Sequence, residues 1–552
     1  MLPSRSLALC LFAAAMIGSF ARAASDPPAD SRAGELIYRE GKLASDRPLH
    51  GRREGNQLIA GADAACGNCH RRSGLGTVEG RIVMPPINSR SLFHPGTHEA
   101  AAKLGETSEA LRGNRGAYSD ATLARALRQG LAADGRVLDP LMPRFDLDPR
   151  NMAALLSYLH GLGADPVPGV EDERLHFATI ITPDADPIAS GAMVNVLEQF
   201  FATRNASYRG ESPPLQSARR IHFRVLRQWQ LHVWRLHGPP GTWEVQLDHH
   251  LQHDPVFAVI SGIGRTTWEP VHHFCERQAI PCLLPNVDLP VVNEKDFYPV
   301  YFSQGVLLEA RMLAYRFAAS PPFRRVVQVY RPDDIGAQAA AAFRAAAGTD
   351  FVVEDRSISP SATGADLAKT IAVHSNEVLV LWLRSEDIGN LPQHVEPARL
   401  VFASGIMGGL EAMPLPHDWR DSTEFTYPFE LPALRRVRMN YPLGWFAIRH
   451  IPLLSERVQT DTYLACEILA EALGTMRDDF VRDYLVERIE VMLSARLLNG
   501  YYTRLGLAPG QRFASKGGYF VHFADPMHES AIIADGPWTI PWKRSDQALA
   551  GR

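Results

Sequence analysis

At 552 residues the chain is long enough for roughly three to four domain-sized units. Its 46% hydrophobic and 21% charged content is that of an ordinary globular protein, and a formal net charge of −4 gives no whole-chain reason to expect nucleic acid or an anionic membrane as a partner. Past the first residues no segment carries about 18 uninterrupted apolar positions, so no membrane span is expected in the mature chain.

The chain opens with Arg5 ahead of the apolar run LALCLFAAAMIGSF, which is short for a membrane span. Ala21 and Ala23 supply the small residues of a signal-peptidase site. Residues 1–23 are therefore expected to be a signal peptide that exports the chain to the periplasm; the competing reading is a retained N-terminal anchor. A lipid anchor on Cys10 is disfavoured by the bulky Leu9 before it.

Residues 31–165 follow as one region. AGELIYREG predicts a short helix with Leu36, Ile37 and Tyr38. AACGNCHRRSGLG then places Cys66, Cys69 and His70 at the spacing used for covalent attachment of a c-type haem. A zinc site would want a second ligand pair, and there is no second CxxC. A thioredoxin-like pair would want a βαβ setting, whereas a glycine-rich loop follows here. The spacing has a chemical reason. Two thiols add to the two porphyrin vinyl groups, and the next residue, His70, supplies one axial nitrogen.

The opposite axial donor is expected to be Met142, in DPLMPRF, where Pro143 stiffens the loop. A thioether there raises the potential and fills the sixth position, which suits electron transfer. Met84, in RIVMPPI, is the competitor; methionines more often pack in a core. Met142 is preferred because a helical pattern follows from Asp148, with Met152, Leu155, Leu156 and Leu159 on one face. DATLARALRQGL predicts another helix. The region carries 18 Lys+Arg against 15 Asp+Glu, so the rest of the mature chain is acidic on balance. Arg71 and Arg72 stand beside the motif, placed to pair with haem propionates, to steer an acidic partner, or simply to face solvent.

Residues 166–171, within ADPVPGV, read as a proline-rich linker. From 172 to 545 the pattern changes. Apolar strands such as LHFATIITP, DPVFAVISGIG, RRVVQVYR, EVLVLWLR and RLVFASG alternate with helical stretches such as GAMVNVLEQFFATRNA and AQAAAAFRAAA, which predicts parallel sheets covered by helices. No P-loop, GxGxxG, GxSxG elbow or HExxH helix occurs, so no catalytic constellation is read and an enzyme is not expected. Cys275 and Cys282 bracket CERQAIPC and can form a disulfide in an oxidising compartment. His249, His250 and His253 in DHHLQHD are read as a polar surface loop in preference to a metal site, because adjacent histidines on a loop or strand do not share a face.

Taken together, IYREG, CGNCH, MPRF and NMAALLSYLHGL make residues 31–165 resemble a class I c-type cytochrome. The resemblance implies an all-α domain around one covalently attached low-spin haem c. Residues 172–545 resemble a type I periplasmic substrate-binding protein of the branched-chain amino acid family of ABC transporters. The stretches that carry this are ATIITPDADPIASG, VFAVISGIGRTTWEPVHHFCERQAIPCLLPNVD, YFSQGVLLEARMLAYRF and VVQVYRPDDIGAQAAAAFRAA. This second resemblance implies a two-lobed α/β module with a small ligand in its cleft. The turn SGIGRTTW matches the place where that family presents hydroxyls and backbone N–H groups to an anion, so Thr266 and Thr267 become candidates, with Asp184 a further cleft residue. The expected fold class is thus multidomain: an all-α cytochrome domain followed by a two-lobed α/β module. The expected function is periplasmic electron transfer to a redox partner protein, with the second module docking a ligand or that partner. The alternative is a solute-binding or sensor component of an importer whose haem reports redox state. Catalysis at the haem is disfavoured because Met142 would close the iron's sixth position.

Overall fold

The computed structural model describes residues 29–94, 116–210, 227–293, 295–319, 325–349, 351–359, 362, 364–374, 377–393, 400–476, 479–493, 500–525 and 531–541. The expected signal peptide, residues 1–23, lies outside them. The chain divides into two compact units, Met1–Asp165 and Pro166–Arg552.

In the first unit, helix α1 (Ala29–Glu40) packs against helix α5 (Pro149–Gly161). Gly34 permits the close approach: a Cβ there would lie 2.1 Å from the Ala154 carbonyl oxygen. Asp148 caps α5 by accepting from the Asn151 N–H at 2.8 Å, and Pro149 occupies the first turn, where its missing N–H costs nothing. Between them lie α2 (Gly67–His70), α3 (Ser89–Phe93) and α4 (Asp120–Gln129), the last opened by a reciprocal Ser119–Thr122 capping box. Met152, Leu155, Leu156 and Leu159 are buried with Ile37, Tyr38, Leu123 and Leu127, so the stripe predicted on α5 is the core face.

The unit is not all-α. Strands β1 (His50–Arg52), β2 (Leu58–Ala60) and β5 (Arg144–Phe145) form a small antiparallel sheet with β1 in the middle, and β3 (Thr77–Glu79) pairs with β4 (Ile82–Met84) as a hairpin. The β1–β2 turn holds Gly55 and Asn56 both at positive φ, the twist that a tight hairpin needs. Strands this short leave too little alternation to be read from the sequence.

The second unit holds two sheets. In chain order the first is built from β6 (Arg174–Ile181), β7 (Gln228–Arg235), β8 (Ala258–Ile260), β9 (Cys282–Leu283) and β10 (Pro299–Val300), arranged β10-β9-β8-β6-β7 and wholly parallel. The second is built from β11 (Arg325–Tyr330), β12 (Val352–Ser357), β13 (Val378–Trp382), β14 (Val401–Ala403), β15 (Thr423–Tyr427), β16 (Tyr519–Phe523) and β17 (Ile532–Ala534), in the order β12-β11-β13-β14-β15-β16-β17. Its first five strands are parallel and its last two antiparallel. Each sheet therefore reverses its order beside its first strand, which makes a switch point between β6 and β8 in one and between β11 and β13 in the other. Covered parallel strands are apolar on both faces, and Val378–Trp382 is buried at every position.

Among the described helices of this unit are α6 (Pro187–Gly210), α7 (Trp243–His253), α8 (Glu269–Arg277), α9 (Val306–Ala319), α10 (Gly336–Ala347), α11 (Gly364–Ile371), α12 (Ser385–Ile388), α13 (Gly405–Gly408), α14 (His417–Arg420), α15 (Pro432–Ile448), α16 (Glu456–Met476) and α17 (Arg482–Leu493). Helix α16 returns to the first sheet, packing on α6 and β8. Arg482, at the start of α17, donates to the Val256 and Phe257 carbonyls at 2.6 and 3.2 Å. The chain thus passes between lobes near residues 302–305, 428–431 and 515–518. These passages lie side by side: Ser515 N–H donates to the Phe302 carbonyl at 2.6 Å, and Gly518 sits against Pro428. Adjacent connecting segments of this kind are a hinge.

Two expectations change here. Residues 166–171 are built into the second unit: Val170 bridges Leu175, and Val167 and Val170 pack on its core. Apolar valines between the prolines give the segment something to bury. The stretch DHHLQHD forms the last turns of α7, where His249 and His253 do share a face, their ring centroids 4.3 Å apart. His250 stacks instead on Trp234 at 5.5 Å. No group of three or more metal-ligating side chains assembles among the described residues. Nor is any described helix long and apolar enough to cross a membrane.

Buried Glu309 on α9 accepts hydrogen bonds from the Ile406 N–H at 3.0 Å, the Thr426 hydroxyl at 2.8 Å and the Ser404 hydroxyl. Burial raises its carboxyl to about 7, and these donors only partly oppose the rise. The folded chain then holds a proton that the unfolded chain releases near the ordinary value of about 4.3. Its contribution to stability is present at low pH and is lost as pH climbs through about 7. Glu309→Gln is therefore expected to flatten the fall in the thermal midpoint between about pH 5 and about pH 8. A melting series across that range for both proteins checks this, and parallel curves would rule it out.

Candidate haem and ligand sites

In the first unit, Cys66, Cys69 and His70 form a single helical turn. The Cys66 carbonyl accepts from the Cys69 N–H at 3.2 Å and the His70 N–H at 3.0 Å. Arg71 ends the turn at φ 64°, and its carbonyl accepts from the Tyr38 hydroxyl at 2.8 Å. His70 is buried, and its Nδ1 lies 2.8 Å from the Pro85 carbonyl oxygen. A carbonyl only accepts, so the imidazole proton resides on Nδ1 and Nε2 keeps its lone pair. Burial also lowers the His70 pKa, which favours that neutral form. Neither cysteine is joined in a disulfide. Burial pushes the Cys66 thiol up to about 12, the opposite of what a dithiol redox pair needs in its attacking cysteine.

Met142 is half-buried and packs against the core cluster that contains Cys66, Leu123 and Leu127. Its loop is fixed by Asp139, whose carbonyl accepts from the Met142 N–H at 3.0 Å, and by Arg144, which donates to the Met142 carbonyl. Met84 ends the β3–β4 hairpin, with its carbonyl oxygen pressed on Gly76, where a Cβ would lie only 2.0 Å away. A neutral, oriented imidazole, two cysteines one turn apart outside any disulfide and a thioether on the same core are a donor set that fits a c-type haem.

In the second unit, the turns after β6 and β8 meet at the first sheet's switch point, the usual place for a ligand in an open parallel sheet. They bring Asp184 and Thr266 together. The carboxylate accepts from the Thr266 N–H at 2.8 Å, from the Thr266 hydroxyl at 2.5 Å and from the Thr182 hydroxyl. Burial opposes the charge on Asp184, but these donors outweigh it and hold the carboxyl below its usual range. The chain's own carboxylate therefore occupies the anion seat expected at Thr266. Thr267 accepts from the Glu269 N–H at 3.3 Å, a helix-capping contact. Cys275 and Cys282 are bonded as a disulfide across Cα atoms 6.1 Å apart.

Facing these turns, the second sheet's switch point carries charges paired among themselves. Arg384 holds Asp334 at 2.7 Å, and Arg331 holds Asp387 at 2.6 Å. The lobes touch through Arg265, which meets Glu386 at 3.4 Å and offers its carbonyl to Arg384 at 3.3 Å. Arg265 and Glu386 are exposed, so this ion pair contributes little, typically under about 1 kcal/mol.

Deeper, beside the hinge, a recess is lined by Asp288, Phe302, Phe429, Arg457, Asp461 and Tyr502. It leaves room for about one water-sized group. Arg457 donates to Asp288 at 2.9 Å. Asp461, one turn further along α16, is 2% exposed, and its Oδ1 has no hydrogen-bond partner. Burial raises the Asp461 carboxyl to about 7 despite nearby Arg457. None of these residues stood out in the sequence. The only signal was an Arg–Asp pair four apart in ERVQTDTYLACEILAEAL, which reads as a surface ion pair until the helix is known to be buried.

No protein-family model matches the chain, and no curated protein matches it. Solved structures do. A branched-chain amino acid ABC transporter protein from Thermus thermophilus with bound valine is 11% identical, covers 69% of this chain and 100% of its own, and superposes with a TM-score of 0.50. A fatty acid ABC transporter substrate-binding protein from Thermomonospora curvata is 14% identical over 68% of this chain and 95% of its own, TM-score 0.49. The branched-chain amino acid transporter substrate-binding protein of Streptococcus pneumoniae in complex with isoleucine is 10% identical over 66% and 100%, TM-score 0.49. The likeness is one of fold: the two-lobed α/β part of the chain has the architecture of a type I periplasmic substrate-binding protein.

Proposed function

We propose that this is a periplasmic binding protein in which the second unit captures a small molecule between its lobes, as part of an importer or a sensor. The observation that carries the reading is the pair of sheets, one parallel and one mainly so, whose switch points meet through Arg265 across a three-segment connection, with a polar recess beside it. The recess admits only a water-sized group, so capture requires the lobes to part and close again. The reading is of a binding protein and not of an enzyme. A thermal unfolding screen of the full chain against small amines, carboxylates and alcohols tests it: a ligand raises the midpoint, and the rise continues with the logarithm of its concentration above Kd.

A second reading concerns the first unit, and the His70–Pro85 hydrogen bond favours it. Cys66 and Cys69 would hold a haem c, with His70 and Met142 as its axial donors. Bound there, the haem supplies a one-electron couple for a redox partner protein. The chain's own part is to keep His70 neutral and aimed, and to set Cys66 and Cys69 one helical turn apart. Met142→Ala is expected to remove the thioether-to-iron absorption feature from the oxidised spectrum and to lower the midpoint potential. A feature that survives the change would move the ligand to Met84.

A further inference from the structure

We propose that the hinge recess is a seat for the ammonium head of a small organic amine, with Asp461 Oδ1 as its acceptor. The inference rests on the reading of the second unit as a ligand-capture module, and names the ligand's class.

The argument is one of charge, shape and donors. Among the lining residues Arg457 is the one guanidinium group, and it is held by Asp288. Asp461 is the second acid of the lining, so two carboxyl groups share that one cation. Tyr502 donates to the Asp461 carboxyl, yet Oδ1 remains without a partner inside a residue that is 2% exposed. An isolated buried carboxylate is costly, and a cation that also donates a hydrogen bond relieves both the charge and the bare oxygen. The free space accepts about one water-sized group, which is the size of an –NH3+ head.

The walls fit the same cation. Phe302, stacked on Tyr502 at 4.9 Å, and Phe429, with the Arg457 guanidinium over its ring at 5.7 Å, wall the recess with aromatic carbon beside the acid. Such a wall suits the apolar part of an organic amine and leaves the carboxyl for its ammonium head. A divalent metal is a poor fit, because Asp288 is already engaged by Arg457 and hard cations want several free oxygens. A carboxylate head is a poor fit as well: Asp184 fills the Thr266 seat, and Arg457 is committed to Asp288.

Calorimetric titration of the full, haem-loaded chain at about pH 8, where the Asp461 carboxyl is ionised, tests the proposal with n-propylamine, 1-propanol and propionate. Propylamine is expected to bind and to raise the thermal midpoint, and the other two are not. Asp461→Asn is expected to weaken propylamine at least about tenfold, the loss of one charge-assisted contact, while leaving the far-UV spectrum and cooperative melting unchanged. Asp461→Ser serves the same purpose should Asn disturb the packing. Binding of 1-propanol or propionate in place of the amine would overturn the ammonium assignment while leaving ligand capture intact. Wild-type chain that ignores propylamine, or Asp461→Asn that binds it as tightly as wild type, would overturn the proposal.

Discussion

Alanine at both Cys66 and Cys69 is expected to leave the exported chain without covalently held haem, the largest single change proposed here. The wild-type chain should keep a haem after denaturation in acid or detergent, and its mass should exceed that of the mature polypeptide by one haem. The double variant should run at the bare polypeptide mass and lose all haem-dependent peroxidase staining on a denaturing gel. The reason is local. Cys66 and Cys69 lie one turn apart, directly ahead of His70, whose Nδ1 proton is held by the Pro85 carbonyl. Nothing else in the unit supplies a pair of thiols, since Cys10 precedes the unit's first described residue and the remaining cysteines lie beyond residue 165. Retention of haem mass by the double variant would show attachment elsewhere. A wild-type chain isolated from an export-competent, haem-replete host without added mass would remove the cytochrome reading altogether.

Breaking one buried ion pair in the second unit is expected to cost about 3–5 kcal/mol. Arg512 donates to Glu490, and both side chains are nearly inaccessible, at 3% and 2% exposure. Arg512 also donates to the Phe297 carbonyl at 2.9 Å and lies over the Phe297 ring, while its own carbonyl accepts from the Tyr301 N–H at 2.8 Å. The pair thus ties the segment leading into the third interlobe passage to the strand leading into the first. Arg512→Leu leaves the Glu490 carboxylate buried without its guanidinium. Adding Glu490→Leu to that variant removes the stranded charge and is expected to restore most of the loss, a coupling that a double-mutant cycle in urea measures directly. Additive losses from the two single changes would show that the pair does not act as a unit.

How much of this was legible depends on the range over which the chemistry acts. The candidate haem donors stand out in the sequence because Cys66, Cys69 and His70 lie within five residues, and CGNCH is one helical turn. The helices around them were readable from period and caps, as with Asp148 and the stripe from Met152 to Leu159. The short ribbons β1, β2 and β5 were not, because two or three residues carry no period. In the second unit, the apolar strands announced parallel sheets. Yet Asp461, the acid on which the proposed ammonium seat rests, looks in sequence like any acid four residues from an arginine. What distinguishes it is the burial of α16 against α6 and the first sheet, a consequence of the chain's return between lobes over more than 200 residues. Likewise Asp184 and Thr266 were both readable as cleft residues, but not that one satisfies the other. That contact joins turns 82 positions apart, and it closes the anion seat that the resemblance implied.

The most direct test of ligand capture is the thermal unfolding of the full chain in rising concentrations of small amines, alcohols and carboxylates. The expected result is a midpoint that climbs with concentration for one class and stays flat for the others. A midpoint unmoved by every class up to millimolar concentrations would contradict the claim that the second unit is a binding module.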